Sequence, residues 1–233
     1  MHRIAPVTIW FWLTKTMITA ADVDWPDYLY RHLGQVPVTA GIVLALAAAL
    51  TTQFRARRYR PWVFWPTVVV VSVAGTELAN GIYDELHLPY LTISAAYLII
   101  LVAVLIWWRI CENTLSLRHI DTARGERFFW AASLIGFALG TAIGHSLISA
   151  TPGLATWTVL IAGIAAAWKW LRLNASVAFW SCYVLTRPFG TSVALLLSNE
   201  PSKGGLGFGQ WPVSVAVAVA LIVVVFRQAR LAV

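Results

Sequence analysis

Long apolar stretches alternate with short polar segments along this chain. Two of the stretches, residues 88–108 and 204–226, contain no charged residue. A helix needs roughly 20 largely apolar residues to cross the hydrocarbon core of a bilayer, which is about 30 Å thick. The stretches are continuously apolar and lack the period-two alternation of β-barrel strands. The pattern therefore predicts transmembrane helices.

The same alternation divides the chain into eight predicted transmembrane helices, numbered here as spans one to eight. The predicted spans cover residues 7–30, 38–54, 62–83, 88–108, 128–148, 154–168, 175–197 and 210–226. The predicted fold class is an all-α integral membrane protein, with one transmembrane domain over residues 1–233.

Composition supports the membrane assignment. Hydrophobic residues make up 59% of the chain and charged residues 12%, whereas soluble domains average roughly 45–50% and about 25%. The net charge of +7 comes from residues between the apolar stretches, without a basic stripe with interleaved aromatics. We therefore expect membrane lipids as partners and no nucleic acid. Cys111 and Cys182 form no CxxC pair, so we expect neither a structural disulfide nor a zinc site.

Lysine and arginine placement predicts the orientation of the spans. The loops after spans two, four and six and both termini are rich in these residues, whereas the opposite loops carry Arg31 and Lys203. The bias places both termini in the cytoplasm, as an even number of spans requires. The predicted location is the bacterial cytoplasmic (inner) membrane.

An internal repeat relates the odd-numbered spans. Each contains a phenylalanine–tryptophan pair, and the tryptophans are Trp12, Trp65, Trp130 and Trp180. Ten residues after each tryptophan stand Asp22, Gly75, Gly140 and Gly190, and each of the three glycines is followed by threonine. The spacing predicts four helical hairpin repeats of parallel orientation, at approximately residues 7–58, 61–109, 128–172 and 178–230. We expect the tryptophans to anchor the membrane interface and the glycines to allow close helix approach.

Several segments carry a family resemblance. They are Phe11-Trp12 with Lys15, the 53–59 segment, Phe179-Trp180 with the 185–188 segment, and the glycines of 204–207. The chain resembles a bacterial family of uncharacterised membrane-anchored proteins with four tandem two-helix repeats, each with a characteristic tryptophan. The resemblance implies recurrent acidic residues on the odd helices. Here Asp27 aligns with Asn80, His145 and Leu195, so that pattern is eroded.

Ionisable residues within spans are costly and are functional candidates by default. The polar residues predicted to line an ion or substrate pathway are Lys15, Asp22, Asp24, Asp27, Glu77, Asn80, His145 and Arg187. All lie on odd-numbered spans, which predicts an inner polar layer of odd spans and an outer apolar layer of even spans.

Two kinds of chemistry suit this set. Asp24, Asp27, Glu77 and His145 could hold a divalent metal ion, because carboxylate oxygens and imidazole are suitable ligands. The same groups could relay protons. Arg187 could bind an anion, pair with a carboxylate or repel cations.

Structural alternatives stand beside these roles. Pro26 predicts that span one ends near residue 21, which would leave the aspartates in a loop. His145 could be a hydrogen-bonded core residue, Lys15 could extend to the interface, and Arg187 could be part of a structural ion pair.

The sequence contains no Walker A, HExxH, GxSxG or CxxCH motif, so no enzyme activity and no cofactor are predicted. The favoured function is a multi-pass transporter or channel for a small cation, either a divalent metal or a proton, with an acidic site between the odd helices. The alternatives are a membrane-embedded redox or lipid-modifying protein and a non-transporting scaffold. A homo-oligomer is compatible with any of them.

Overall fold

The structure is a computed structural model that describes residues 3–21, 25–56, 58–116, 120–147 and 153–231. Its described part is helical, and it contains no strand. The α-helices are α1 (Ile9–Ala21), α2 (Trp25–Leu33), α3 (Gln35–Arg55), α4 (Pro61–Leu86), α5 (Tyr90–Glu112), α6 (Ala123–Leu147), α7 (Gly153–Trp170), α8 (Ala175–Ser198) and α9 (Gln210–Leu231). A short 3-10 helix, Pro201–Lys203, precedes α9.

Spans two to eight each correspond to one helix, α3 to α9 in order, whereas the described part of the first span contains α1 and most of α2. Helix α1 ends at Ala21 and α2 begins at Trp25. Pro26 is the second residue of α2, a position that proline tolerates because its missing N–H has no helical partner there. Residues 22–24, between the two helices, lie outside the described residues, so the break expected near Pro26 stays a prediction.

Within the described part of the chain, five helices are long and apolar enough to cross a membrane: α3, α4, α5, α6 and α9. They indicate a membrane protein. Helix α8 is long but is not among the five, and it carries Arg187 and Pro188 near its middle. Helix α7 has 18 residues and α1 has 13, which is short for a complete crossing.

The burial of these helices follows the predicted inner and outer layers. The apolar window of α4 is 56% buried and that of α6 is 67% buried, whereas the values for α3, α5 and α9 are 6%, 28% and 17%. Helices from odd-numbered spans thus bury more of their surface than helices from even-numbered spans. An exposed apolar helix surface suits contact with lipid.

The chain packs as two compact units. The first comprises Met1–Ala74 with Gly190–Val233, and the second is Gly75–Phe189. In the first unit α1 packs against α9, and α2 contacts α3. In the second unit α5 packs along α6. The unit boundaries fall inside α4 and α8, so each of these helices contributes residues to both units.

Helix α6 begins five residues before the predicted start of span five. The Thr122 hydroxyl accepts a hydrogen bond from the Gly125 backbone N–H at 2.9 Å and donates one to Glu112 at 2.9 Å. Such a side-chain cap satisfies an amide that has no partner in the first helical turn. Glu126 is fully buried in that turn, where the helix dipole favours a negative charge.

Candidate functional site

Arg187 lies in the second unit, in the middle of α8, and its side chain is only 4% exposed. Its Nε donates a hydrogen bond to Thr141 Oγ1 at 3.2 Å, and its Nη2 donates one to Thr76 Oγ1 at 2.6 Å. Two hydroxyls from α6 and α4 thus hold one buried guanidinium. We call Arg187, Thr76 and Thr141 the arginine–threonine cluster.

Both threonines belong to the glycine–threonine pairs of the repeat, and the glycines bring the helices together. A Cβ on Gly140 would lie 2.7 Å from Arg187 Cβ and 2.7 Å from the Val184 carbonyl oxygen. That separation is too short for any side chain larger than hydrogen. Gly140 therefore lets α6 approach α8 at the point where Thr141 meets the guanidinium.

Gly75 makes the equivalent contact between α4 and α6. A Cβ there would lie 2.6 Å from Phe137 Cβ and 3.0 Å from the Leu134 carbonyl oxygen. The approach of α4 to α6 places Thr76, the next residue, beside the arginine–threonine cluster.

In the first unit, Gly190 of α8 makes the same kind of contact with α1. A Cβ on Gly190 would collide with Thr19 Oγ1 and would lie 3.0 Å from the Thr16 carbonyl oxygen. The predicted role of the three glycines in close helix packing is thus confirmed for Gly75, Gly140 and Gly190.

Trp65 begins a chain of hydrogen bonds in the first unit. This tryptophan is 1% exposed, and its Nε1 donates a hydrogen bond to Gln228 Oε1 at 3.0 Å. Gln228 Nε2 then donates to Thr14 Oγ1 at 2.8 Å, and Thr14 donates to the Trp10 carbonyl oxygen at 2.7 Å. The chain links α4, α9 and α1 through side chains that are largely buried.

Gln228→Leu should lower the free energy of unfolding by about 1–3 kcal/mol, because it removes the hydrogen bond that the buried Trp65 N–H donates to Gln228. Gln210→Leu is the matched control, since Gln210 is exposed at the start of the same helix. Thermal melting of both variants in detergent measures the difference. Equal melting temperatures would show that the Trp65–Gln228 bond contributes nothing.

The other repeat tryptophans are also surrounded by protein. Trp180 packs in the second unit against Trp108, with ring centroids 6.3 Å apart, and against Tyr183 at 5.2 Å. Trp130 is buried on α6, whereas Trp12 is half-buried on α1. These contacts place Trp65, Trp130 and Trp180 in helix packing, and interfacial anchoring by the four tryptophans stays a prediction.

His145 lies near the end of α6 and is exposed. Its ring stacks on Tyr90 with centroids 4.7 Å apart, and Tyr90 stacks in turn on Tyr83 at 4.3 Å. The Tyr90 hydroxyl donates a 3.5 Å hydrogen bond to Asn80. His145 is therefore not a buried core histidine, and Asn80 joins it through the shared Tyr90.

The structure describes the side chains of Lys15 and Glu77, but not those of the three predicted aspartates. Lys15 is fully buried in the first unit, so its ammonium does not extend to the protein surface. Glu77 is half-buried and directly follows Thr76 on α4. Asp22 and Asp24 lie outside the described residues, and Asp27 is in α2, its side chain likewise outside the description.

Among the described residues, no group of three or more histidine, cysteine, aspartate or glutamate side chains is placed to hold a metal ion. The predicted set of Asp24, Asp27, Glu77 and His145 contains two aspartates that the description does not cover. That set remains a prediction.

Two segments of the chain match the family model of a repeat of unknown function, DUF347, at residues 63–114 and 178–232. The two matched segments together cover a little under half of the chain. The resemblance to an uncharacterised repeat family is thereby confirmed. No curated protein and no solved structure matches the chain.

The two DUF347 copies coincide with the second and fourth predicted repeats, residues 61–109 and 178–230. The first copy contains most of α4 and α5, and the second contains most of α8 and α9. Trp65 and Trp180 occupy matching positions, as do Gly75-Thr76 and Gly190-Thr191. A total of four repeats stays a prediction.

The helix contacts explain the constant spacing between tryptophan and glycine in the odd-numbered spans. In each glycine contact, the residue ten positions after one tryptophan meets the residues four and seven positions after the next tryptophan. Gly140 meets Val184 and Arg187, which follow Trp180 at those distances. Gly75 meets Leu134 and Phe137 in the same register from Trp130. The repetition indicates that the helices of successive odd-numbered spans pack in the same way.

Sequence reasoning missed four polar residues that the structure shows to be important. They are Thr76, Thr141, Glu126 and Gln228. The two threonines were visible as markers of the repeat, and their constant position after glycine was a signal for a shared role. Glu126 was placed in a loop, and Gln228 lies beyond the predicted end of span eight.

Proposed function

We propose that this protein is a multi-pass membrane transporter or channel for a small cation, either a proton or a divalent metal ion. The observation that carries the proposal is the buried arginine–threonine cluster. A charged side chain within an apolar helix bundle is costly, and the buried Arg187 donates hydrogen bonds there to hydroxyl side chains from α4 and α6. Fixed charges at such positions commonly mark ion pathways.

Glu77 supplies the negative charge in this proposal. It follows Thr76 on α4, one residue from the hydroxyl that accepts a hydrogen bond from Arg187. A carboxylate at this position can exchange between a fixed cationic partner and a mobile cation. Arg187 would then stabilise the ionised carboxylate when the mobile ion has left.

The other buried cation of the pathway, Lys15, lies on α1 in the first unit. Helices α1, α4 and α8 therefore each carry one ionisable residue of the predicted pathway, whereas the exposed helices α3, α5 and α9 present apolar surfaces. This distribution supports polar residues on helices from odd-numbered spans and lipid-facing apolar surfaces on helices from even-numbered spans. The proposal places both termini in the cytoplasm, and this orientation rests on the arginine bias of the loops.

Glu77→Gln should abolish cation flux into proteoliposomes, because the amide cannot ionise and so cannot exchange a proton or bind a cation electrostatically. Glu85→Gln is the control, since Glu85 is exposed near the end of the same helix. Flux is measured by an internal pH dye and by a panel of divalent metal indicators. Unchanged flux in Glu77→Gln would remove Glu77 from the pathway, and no flux from the native chain would overturn transport itself.

A further inference from the structure

A groove of about 370 Å³ opens in the first unit between the start of α1 and the end of α9. It is lined by Trp10, Val224, Arg227, Gln228 and Arg230. Its volume falls at the lower end of the range of about 300–1,000 Å³ that is typical of small-ligand sites. The groove is separate from the arginine–threonine cluster, which belongs to the second unit.

Two arginines give the groove a positive charge. Arg227 and Arg230 are both exposed, and the described residues that line the groove include no acidic side chain. The Arg230 guanidinium lies 4.5 Å from the centroid of the Phe226 ring, an arrangement that orients the side chain through cation–π attraction. Two guanidinium groups on one helical turn can bind the oxygens of a phosphate in a fork geometry.

The other wall is apolar. Trp10 is 48% exposed and Val224 is half-buried, so an indole face and an aliphatic side chain border the two arginines. Residues on α9 before the groove, such as Ile222 and Val223, are exposed and apolar. The 22 residues of α9 are sufficient to cross a bilayer, and the arginines at its end would then lie at the level of the lipid headgroups.

We propose that this groove binds the headgroup of an anionic phospholipid. Arg227 and Arg230 hold the phosphate, and Trp10 and Val224 contact the glycerol and the first methylenes of the acyl chains. The complementarity of two cations with an adjoining apolar wall favours a lipid over a soluble anion. The bound lipid would also bridge α1 and α9, next to the hydrogen bonds that Gln228 makes with Trp65 and Thr14.

The test is native mass spectrometry of the full chain, delipidated in detergent and titrated with phosphatidylglycerol or phosphatidylcholine. We expect one phosphatidylglycerol to be retained with markedly higher affinity than phosphatidylcholine. The double variant Arg227→Gln/Arg230→Gln should weaken that binding at least about tenfold, since each basic residue near anionic lipid contributes appreciably to binding.

The double variant Arg55→Gln/Arg109→Gln is the matched control. It removes two exposed arginines from the last turns of α3 and α5, outside the groove, and it should keep the native affinity. Equal weakening in both variants, or none in the groove variant, would overturn the proposal. Displacement of the lipid by millimolar inorganic phosphate would also overturn it, because it would show that the groove selects the phosphate alone.

Discussion

Gly140→Ala will lower the melting temperature of the detergent-solubilised protein by about 4–8 °C. The added methyl group would lie 2.7 Å from both Arg187 Cβ and the Val184 carbonyl oxygen, so α6 and α8 must separate. Overpacking of this kind costs typically about 1–3 kcal/mol, and about 2 kcal/mol corresponds to that shift for a chain of this size. Separation would also lengthen the bond between Thr141 and Arg187.

The control for this substitution is Gly163→Ala. Gly163 lies in α7, and a Cβ at this position would meet no atom within 4 Å. Alanine there should leave the melting temperature unchanged or raise it slightly, since alanine has the higher helix propensity, by up to about 1 kcal/mol. If both alanine variants melt alike, α6 and α8 do not pack through Gly140.

Arg187→Met should lower cation flux on the order of 100-fold, the size of effect produced by removing one preorganised polar group from a reaction centre. The free energy of unfolding should change by no more than about 2 kcal/mol. A buried guanidinium costs several kcal/mol to desolvate, and its hydrogen bonds return about 1.5–3 kcal/mol each. Removing the guanidinium removes its desolvation cost, and this gain largely offsets the loss of its hydrogen bonds.

Two further variants make the Arg187 experiment specific. Arg187→Lys keeps the charge but replaces the planar donor fork with a single ammonium, so it cannot reproduce the geometry to Thr76 and Thr141. We expect the cation flux of Arg187→Lys to be nearly as low as that of Arg187→Met. Arg124→Met is the control, since the Arg124 side chain is 65% exposed on α6. Native flux in Arg187→Met with native stability would show that the guanidinium is dispensable.

Much of the helical fold could be predicted from sequence because lipid imposes a simple length requirement on apolar segments. Helices α3 to α9 each fall within a few residues of a predicted span. Pro26 predicts a break in the first span, and the residues where that break would fall, 22–24, lie outside the described part of the chain. The early start of α6 depends on the Thr122 cap, a local hydrogen bond that hydropathy does not encode.

The candidate site was less predictable, because its partners come from three helices distant in sequence. Arg187 was identified as a buried charge, yet its acceptors Thr76 and Thr141 are ordinary residues in membrane helices. The repeat spacing marked them without revealing that their hydroxyls meet one guanidinium. Similarly, nothing in the local sequence of Gln228 indicates that its amide bridges Trp65 and Thr14.

The glycine register also limits how such a chain can change over evolutionary time. One inserted residue between Trp130 and Gly140 would turn the rest of α6 by about 100°. The helix that presents Gly140 to α8 also presents Leu134 and Phe137 to α4, so a single insertion would misalign two partners together. A change of length in a loop between helices does not shift residues within a helix relative to two partners. Sequence divergence in such a chain is thus expected to accumulate as loop-length changes and side-chain replacements, with the ten-residue interval preserved.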